Sequence, residues 1–176
     1  GIEALSQQVN AVYDALILEV ERFGGSVIGF AGDAITCWFD AGRVNPAQHA
    51  ARCAHAMQSS MAGFAGLSLK VGVAMGPARR LVVGHPDIQR VDALAGATVA
   101  RAVAGESLAQ PGEVLLDGAC AGALGLLPLG VRHTDEGLAF LPLPSAATWP
   151  KFAAEPDADG GASHLPPPDA DGLRSW

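Results

Sequence analysis

The sequence predicts an α+β sandwich of element order βαββαβ from which the first strand is missing. Three observations predict it. Amphipathic helical periods alternate with short β-prone runs, Gly and Pro pairs punctuate the boundaries between them, and the pattern stops near residue 144. The 176 residues are 49% hydrophobic and hold 22 Gly in no strict period, which is enough apolar material for one globular domain of roughly 100–150 residues and a tail.

From Leu5 onward, Val9, Val12, Leu16 and Val20 recur at helical spacing and define one face of a helix that ends at Gly24-Gly25. Ser26 to Phe30 and Ala34 to Phe39 are β-prone runs on either side of Gly32-Asp33, so they read as a hairpin with its turn at that dipeptide. After the Asn45-Pro46 break, a helix from about Ala47 to Met61 carries Ala50, Cys53, Ala54, Met57 and Met61 on its apolar side. Leu67 to Met75 reads as a strand, Gly76-Pro77 breaks it, and Ala78 to Gly84 reads as another. A helix from about Gly96 to Leu108 is ended by Gln110-Pro111-Gly112 and followed by a strand at Glu113 to Leu116. A short helix near Gly118 to Leu124 and a hairpin around Asp135-Glu136-Gly137 complete the periodic part.

Residues 1–143 are therefore assigned to the domain, and 144–176 to a Pro-rich, acidic linker expected to be disordered. Six of the 12 prolines fall in that last stretch, which argues for a linker and against a second core. Because the chain starts at Gly1 and enters helical periodicity almost at once, it is expected to be a piece of a longer protein. With 11 Lys and Arg against 18 Asp and Glu, a net charge of −7, no broad positive surface for nucleic acid is expected. No window approaches the roughly 18 apolar residues of a membrane span, and the N-terminus lacks the pattern of a secretory signal. A cytoplasmic location is expected. Cys37, Cys53 and Cys120 are odd in number and contain no C-x-x-C pair, so they read as small buried hydrophobes in a reducing compartment. His49 and His55 lack the i, i+4 spacing of a helical metal pair and read as surface or boundary residues.

Gly24-Gly25-Ser26-Val27-Ile28-Gly29-Phe30-Ala31-Gly32-Asp33-Ala34 is the most informative stretch. It is followed by His49-Ala50-Ala51-Arg52-Cys53-Ala54, Met57-Gln58, Leu69-Lys70-Val71-Gly72-Val73-Ala74, Gly76, Gly84, Leu94-Ala95-Gly96 and Pro111-Gly112-Glu113-Val114-Leu115-Leu116. In this order, over residues 1 to 141, the segments resemble the class III nucleotide cyclase domain of the adenylyl and guanylyl cyclases. The likeness is strongest to the first cyclase domain of the soluble, bicarbonate-responsive adenylyl cyclases and their bacterial relatives. The resemblance implies a ferredoxin-like βαββαβ sandwich of the cyclase type, lacking its first central strand here. It also implies conversion of ATP to cyclic AMP and pyrophosphate, for intracellular signalling, at a site shared with a second cyclase homology domain, in the same polypeptide or a dimer partner.

That chemistry is an intramolecular phosphoryl transfer, in which the ribose 3′-hydroxyl attacks the α-phosphate and negative charge must be neutralised. In the family, two Mg or Mn ions held by two aspartates supply most of that neutralisation, because one carboxylate cannot fix both ions. Asp33 matches the second aspartate; the alternative is that Gly32-Asp33 is simply a favourable turn dipeptide. The first aspartate, in a strand reading Asp-x-x-Gly-Phe-Thr, is expected upstream of Gly1. The family lysine that reads adenine falls at Gly29, its aspartate partner near Asp92 or Ala93, and the asparagine and arginine of the transition state at Ala100 and Ala104. Arg101 is out of register for that role, and Val103 is nearest the position of the bicarbonate-binding arginine. Arg79 and Arg80 point to opposite faces of a strand and read as solvated surface.

Three functions compete. The first is the metal-bearing half of a two-domain cyclase, inactive in isolation. The second is a non-catalytic, cyclase-like dimerisation or regulatory module. The third is an unrelated ferredoxin-like binding domain, whose sign would be a structure lacking the cyclase dimer groove.

Overall fold

A computed structural model describes residues 2–43, 45–85 and 89–145. Helix α1 (Ile2–Arg22) buries Leu16 and Val20, four residues apart on one face. It ends in a Schellman motif: the Gly25 N–H donates to the Val20 carbonyl (2.8 Å) and the Gly24 N–H to that of Glu21 (2.9 Å), with Gly24 at φ +70°. The chain then enters β1 (Ser26–Ala31) and β2 (Ala34–Trp38), an antiparallel hairpin closed by the pair Ala31 and Ala34. Its two-residue turn needs a positive φ at the first central position, which Gly32 supplies at +63°. The register shifts between Val27 and Gly29, leaving a bulge at Ile28.

Helix α2 (Pro46–Met61) has proline in its first turn and two buried faces. Cys53, Met57 and Met61 pack with Leu16 and Val20 of α1, and Val27, Cys37 and Phe39 of the hairpin segment close that cluster. Ala47, Ala51 and Ala54 instead face the main sheet, where small side chains let the helix lie close.

The main sheet contains β3 (Val71–Val73), β6 (Val114–Asp117), β7 (Arg132–His133) and β8 (Ala139–Pro142), in the order β3-β6-β8-β7. β3 and β6 are parallel, and the crossover between them contains β4 (Arg79–His85), β5 (Gln89–Ala95) and helix α3 (Ala97–Leu108). Gln58 fixes the entry to both parallel strands by donating from Nε2 to the carbonyls of Leu69 (2.9 Å) and Glu113 (3.2 Å). Side chains alternate across the sheet: Val114, Leu116 and Leu141 face α2 and the short helix α4 (Gly118–Ala123), whereas Leu115 and Phe140 face α3. The sheet is therefore covered on both sides.

The sequence-based architecture holds, with two corrections. The strand expected over 67–75 contracts to Val71–Val73, because Leu67 is taken up in a turn through its N–H to the Phe64 carbonyl. More importantly, no element was expected between residues 84 and 96, yet β5 pairs with β4 over seven residue pairs from Arg79 and Ala95 to His85 and Gln89. β5 holds Gln, Arg, Asp and two Ala, weak strand formers individually, and owes its conformation to the ladder with β4. Among the described residues this pair forms its own two-stranded arm, separate from the main sheet. The β1-β2 hairpin is also a separate sheet, and β3 is an edge strand. Of the expected linker, residues 146–176 lie outside the described residues.

Candidate functional site

Asp33 stands at the exposed tip of the β1-β2 hairpin. The tip is braced from α1, where the Tyr13 hydroxyl donates to the Gly32 carbonyl (3.3 Å) and the Tyr13 ring meets Phe30 edge-on at 5.1 Å. The carboxylate is thus presented to solvent on a held backbone. Among the described residues no group of three or more His, Cys, Asp or Glu is placed to hold a metal ion. Asp33 alone does not constitute a metal site, and a two-ion centre needs a second carboxylate from elsewhere.

Gly29 lies one turn of pleat from the tip, and a Cβ built there would meet nothing within 4 Å. Glycine is not required by packing at this position. Gly29→Lys is expected to fold with a melting temperature equal to or above that of the parent chain, since strand glycine costs about 0.5–1 kcal/mol. A fall of more than a few degrees in thermal unfolding would contradict this.

Ala100 is exposed and Ala104 half-buried on α3, and neither side chain can donate a hydrogen bond. Asp92 is on β5, where Arg80 holds it with Nη2 to Oδ2 at 2.6 Å and Nε to Oδ1 at 3.3 Å. The hydrogen bonds from Arg80 push the Asp92 carboxyl below its ordinary range, and Asp92 in turn raises the guanidinium. Arg80 is therefore ion-paired and not simply solvated: it stands opposite Leu94, and Asp92, two residues before Leu94 on the same face of β5, is its diagonal neighbour.

Exposed apolar side chains gather around this region. Leu81, Val83 and Val91 share one face of the β4-β5 arm, Val82 lies on the other, and Phe30 and Val103 are exposed on β1 and α3. β5 packs beside β1 and adjoins α3, so the hairpin and the helix are neighbours of the arm. Patches of this kind mark interaction surfaces.

A polar cluster at the base of the arm was not anticipated. Asp117, 2% exposed, accepts from Cys120 N (2.8 Å) and Met75 N (3.2 Å) on Oδ1 and from Arg101 Nε (2.8 Å) on Oδ2. The sequence offered half of the signal: an Asp between a Val-Leu-Leu strand and Gly-Ala-Cys is placed to cap a helix. Its pairing with Arg101 had none.

The cysteines match their sequence reading. Burial pushes the thiols of Cys53 and Cys120 up to about 12 and that of half-buried Cys37 to about 11, which disfavours the reactive thiolate. His49 and His55 are half-buried; burial, followed by the charge of Arg43, lowers the His49 pKa.

The fold thus defines an α+β domain with helices on both faces of its main sheet, a braced hairpin tip and a separate two-stranded arm bearing exposed apolar side chains. Solved structures share it. The guanylyl cyclase Cya2 superposes with a TM-score of 0.72 at 19% identity, covering 81% of each chain. The adenylyl cyclase CyaB from P. aeruginosa gives 0.66 at 17% identity, covering 80% of this chain and 82% of that one. The dimeric guanylyl cyclase domain of the RhoGC fusion protein from the aquatic fungus Blastocladiella emersonii gives 0.68 at 17%, covering 81% and 83%. By sequence, no family model and no curated protein matches. The chain has the fold of the class III adenylyl and guanylyl cyclase catalytic domain. Among the described residues no helix is long and apolar enough to cross a membrane.

Proposed function

We propose that the chain is the metal-bearing half of a two-domain nucleotide cyclase, converting ATP to cyclic AMP and pyrophosphate at a site completed by a second cyclase homology domain. The observation that carries this reading is Asp33, a carboxylate exposed on a braced two-residue hairpin within a cyclase fold. In this reading Asp33 is one of two aspartates that hold Mg or Mn, and bound metal would neutralise charge developing on the phosphate. The chain's own part is to present that carboxylate and to offer the partner domain the apolar surface of the arm, Phe30 and Val103. Gly29, Ala100 and Ala104 supply no base-reading or transition-state donors, so those groups come from the partner. The protein acts in the cytoplasm, where ATP is available.

The same three residues favour a second reading, a non-catalytic dimerisation or regulatory module. ATP cyclisation with Mn by the natural protein containing this sequence separates the two. Cyclic AMP formation that falls more than tenfold in Asp33→Ala, with an unchanged melting temperature, is expected. Undiminished turnover would remove Asp33 from the metal site, and absence of turnover in the natural protein would leave the regulatory module.

A further inference from the structure

Arg101 and Asp117 do more than neutralise one another. Both backbone polar groups of Met75, just beyond β3, are held by this pair: its N–H donates to Asp117 Oδ1 (3.2 Å) and its carbonyl accepts from Arg101 Nη2 (2.9 Å). One helical turn back on α3, Thr98 is 6% exposed and donates from Oγ1 to the Pro77 carbonyl (2.7 Å), while Arg101 Nη2 lies 3.4 Å from that hydroxyl. Gly76, between the two clamped residues, sits so close that a Cβ would lie 2.7 Å from Thr98 Oγ1 and 3.0 Å from Arg101 Nη2. The turn Met75–Pro77 is thus fixed at three consecutive residues against α3 and the start of α4. It is also the segment from which β4, and with it the arm, leaves the body.

We propose that Arg101 is a positioning residue that sets the direction of the β4-β5 arm relative to the body, and through it the fit of the arm to a second cyclase domain. The second half rests on the arm being the docking surface argued above. The first does not. The arm forms no part of the main sheet, so its orientation depends on its root and on its packing beside β1. A fork of five N–H donors can hold a carboxylate and a carbonyl together, which a lysine cannot do with the same geometry.

The test uses residual dipolar couplings of backbone amides in 79–85 and 89–95, compared with those of α2 and β6. In the parent chain both sets are expected to fit one alignment tensor. The double variant Arg101→Met, Asp117→Asn removes both charges while keeping an acceptor for the Met75 and Cys120 amides, and is expected to scale down the arm couplings alone. Thr98→Val, nearly isosteric, is expected to do so more weakly and serves if the double variant does not fold. Arm couplings unchanged in folded variants overturn the proposal. Self-association, measured by sedimentation with a second copy of this chain as probe, reports separately on the docking surface. Leu81→Asp should weaken it at least tenfold and leave the couplings alone; no effect on association overturns the docking reading while the couplings still decide the role of Arg101.

Discussion

Gly72→Ala is expected to destabilise the domain by about 3 kcal/mol or more. The added Cβ would overlap the Ala102 carbonyl oxygen and lie 2.5 Å from Glu106 N. Both are backbone atoms of α3, held in its helical hydrogen bonds, so neither can swing aside as a flexible side chain could. A retreat of α3 would also open its close contact at Gly105, where a Cβ would lie 2.9 Å from the Phe140 ring and 3.5 Å from Gly72 Cα. β3 and α3 are therefore packed backbone to backbone through two glycines, and one methyl group must separate helix from sheet. Gly122→Ala is the control: it is in α4 with nothing within 4 Å of its Cβ position, and helix propensity favours Ala by about 0.5–1 kcal/mol. Urea unfolding of the two variants checks the contrast. Equal midpoints would show that α3 moves freely over β3.

The same contact shows what sequence could and could not reveal. Val71-Gly72-Val73 is recognisable as a strand, but Ala102 is 30 positions further along the chain, and no local pattern announces that its carbonyl will stand over Gly72. Elements whose causes are local were legible: α1 through its apolar spacing and Gly24-Gly25 stop, the hairpin through Gly32-Asp33, α2 through Asn45-Pro46. β5 was not, because Arg90, Asp92 and Ala93 become a strand only through their pairing with β4. Exposure of Asp33 followed from its turn, whereas a metal role came only from the resemblance, since turn dipeptides with Asp are common. Asp92 illustrates the converse. The resemblance put the partner of the base-reading lysine near Asp92 or Ala93, while the folded chain gives the Asp92 carboxylate to Arg80 on the adjoining strand. That pair is exposed and contributes under about 1 kcal/mol, so it orients the arm surface more than it stabilises the fold.

Asp117→Ala is expected to cost about 3–5 kcal/mol, for a reason different from the crowding at Gly72. Removing a carboxylate that is 2% exposed leaves the Cys120 N–H at the start of α4 without its cap, the Met75 N–H without an acceptor and the Arg101 guanidinium without its counter-charge. The lost cap alone is worth about 1 kcal/mol. Most of the rest comes from Arg101, which is anchored by Met75 O and has a side chain only 28% exposed, so it cannot reach water without abandoning the arm root. Adding Arg101→Met to Asp117→Ala should recover part of the loss, because an apolar stem in that space carries no unpaired charge. A double-mutant cycle in urea measures the coupling, expected to exceed about 1.5 kcal/mol for a close, poorly solvated charge pair. Strict additivity of the two single losses would mean that the pair is solvated despite its burial, and the arm would then be held by its packing against β1 alone.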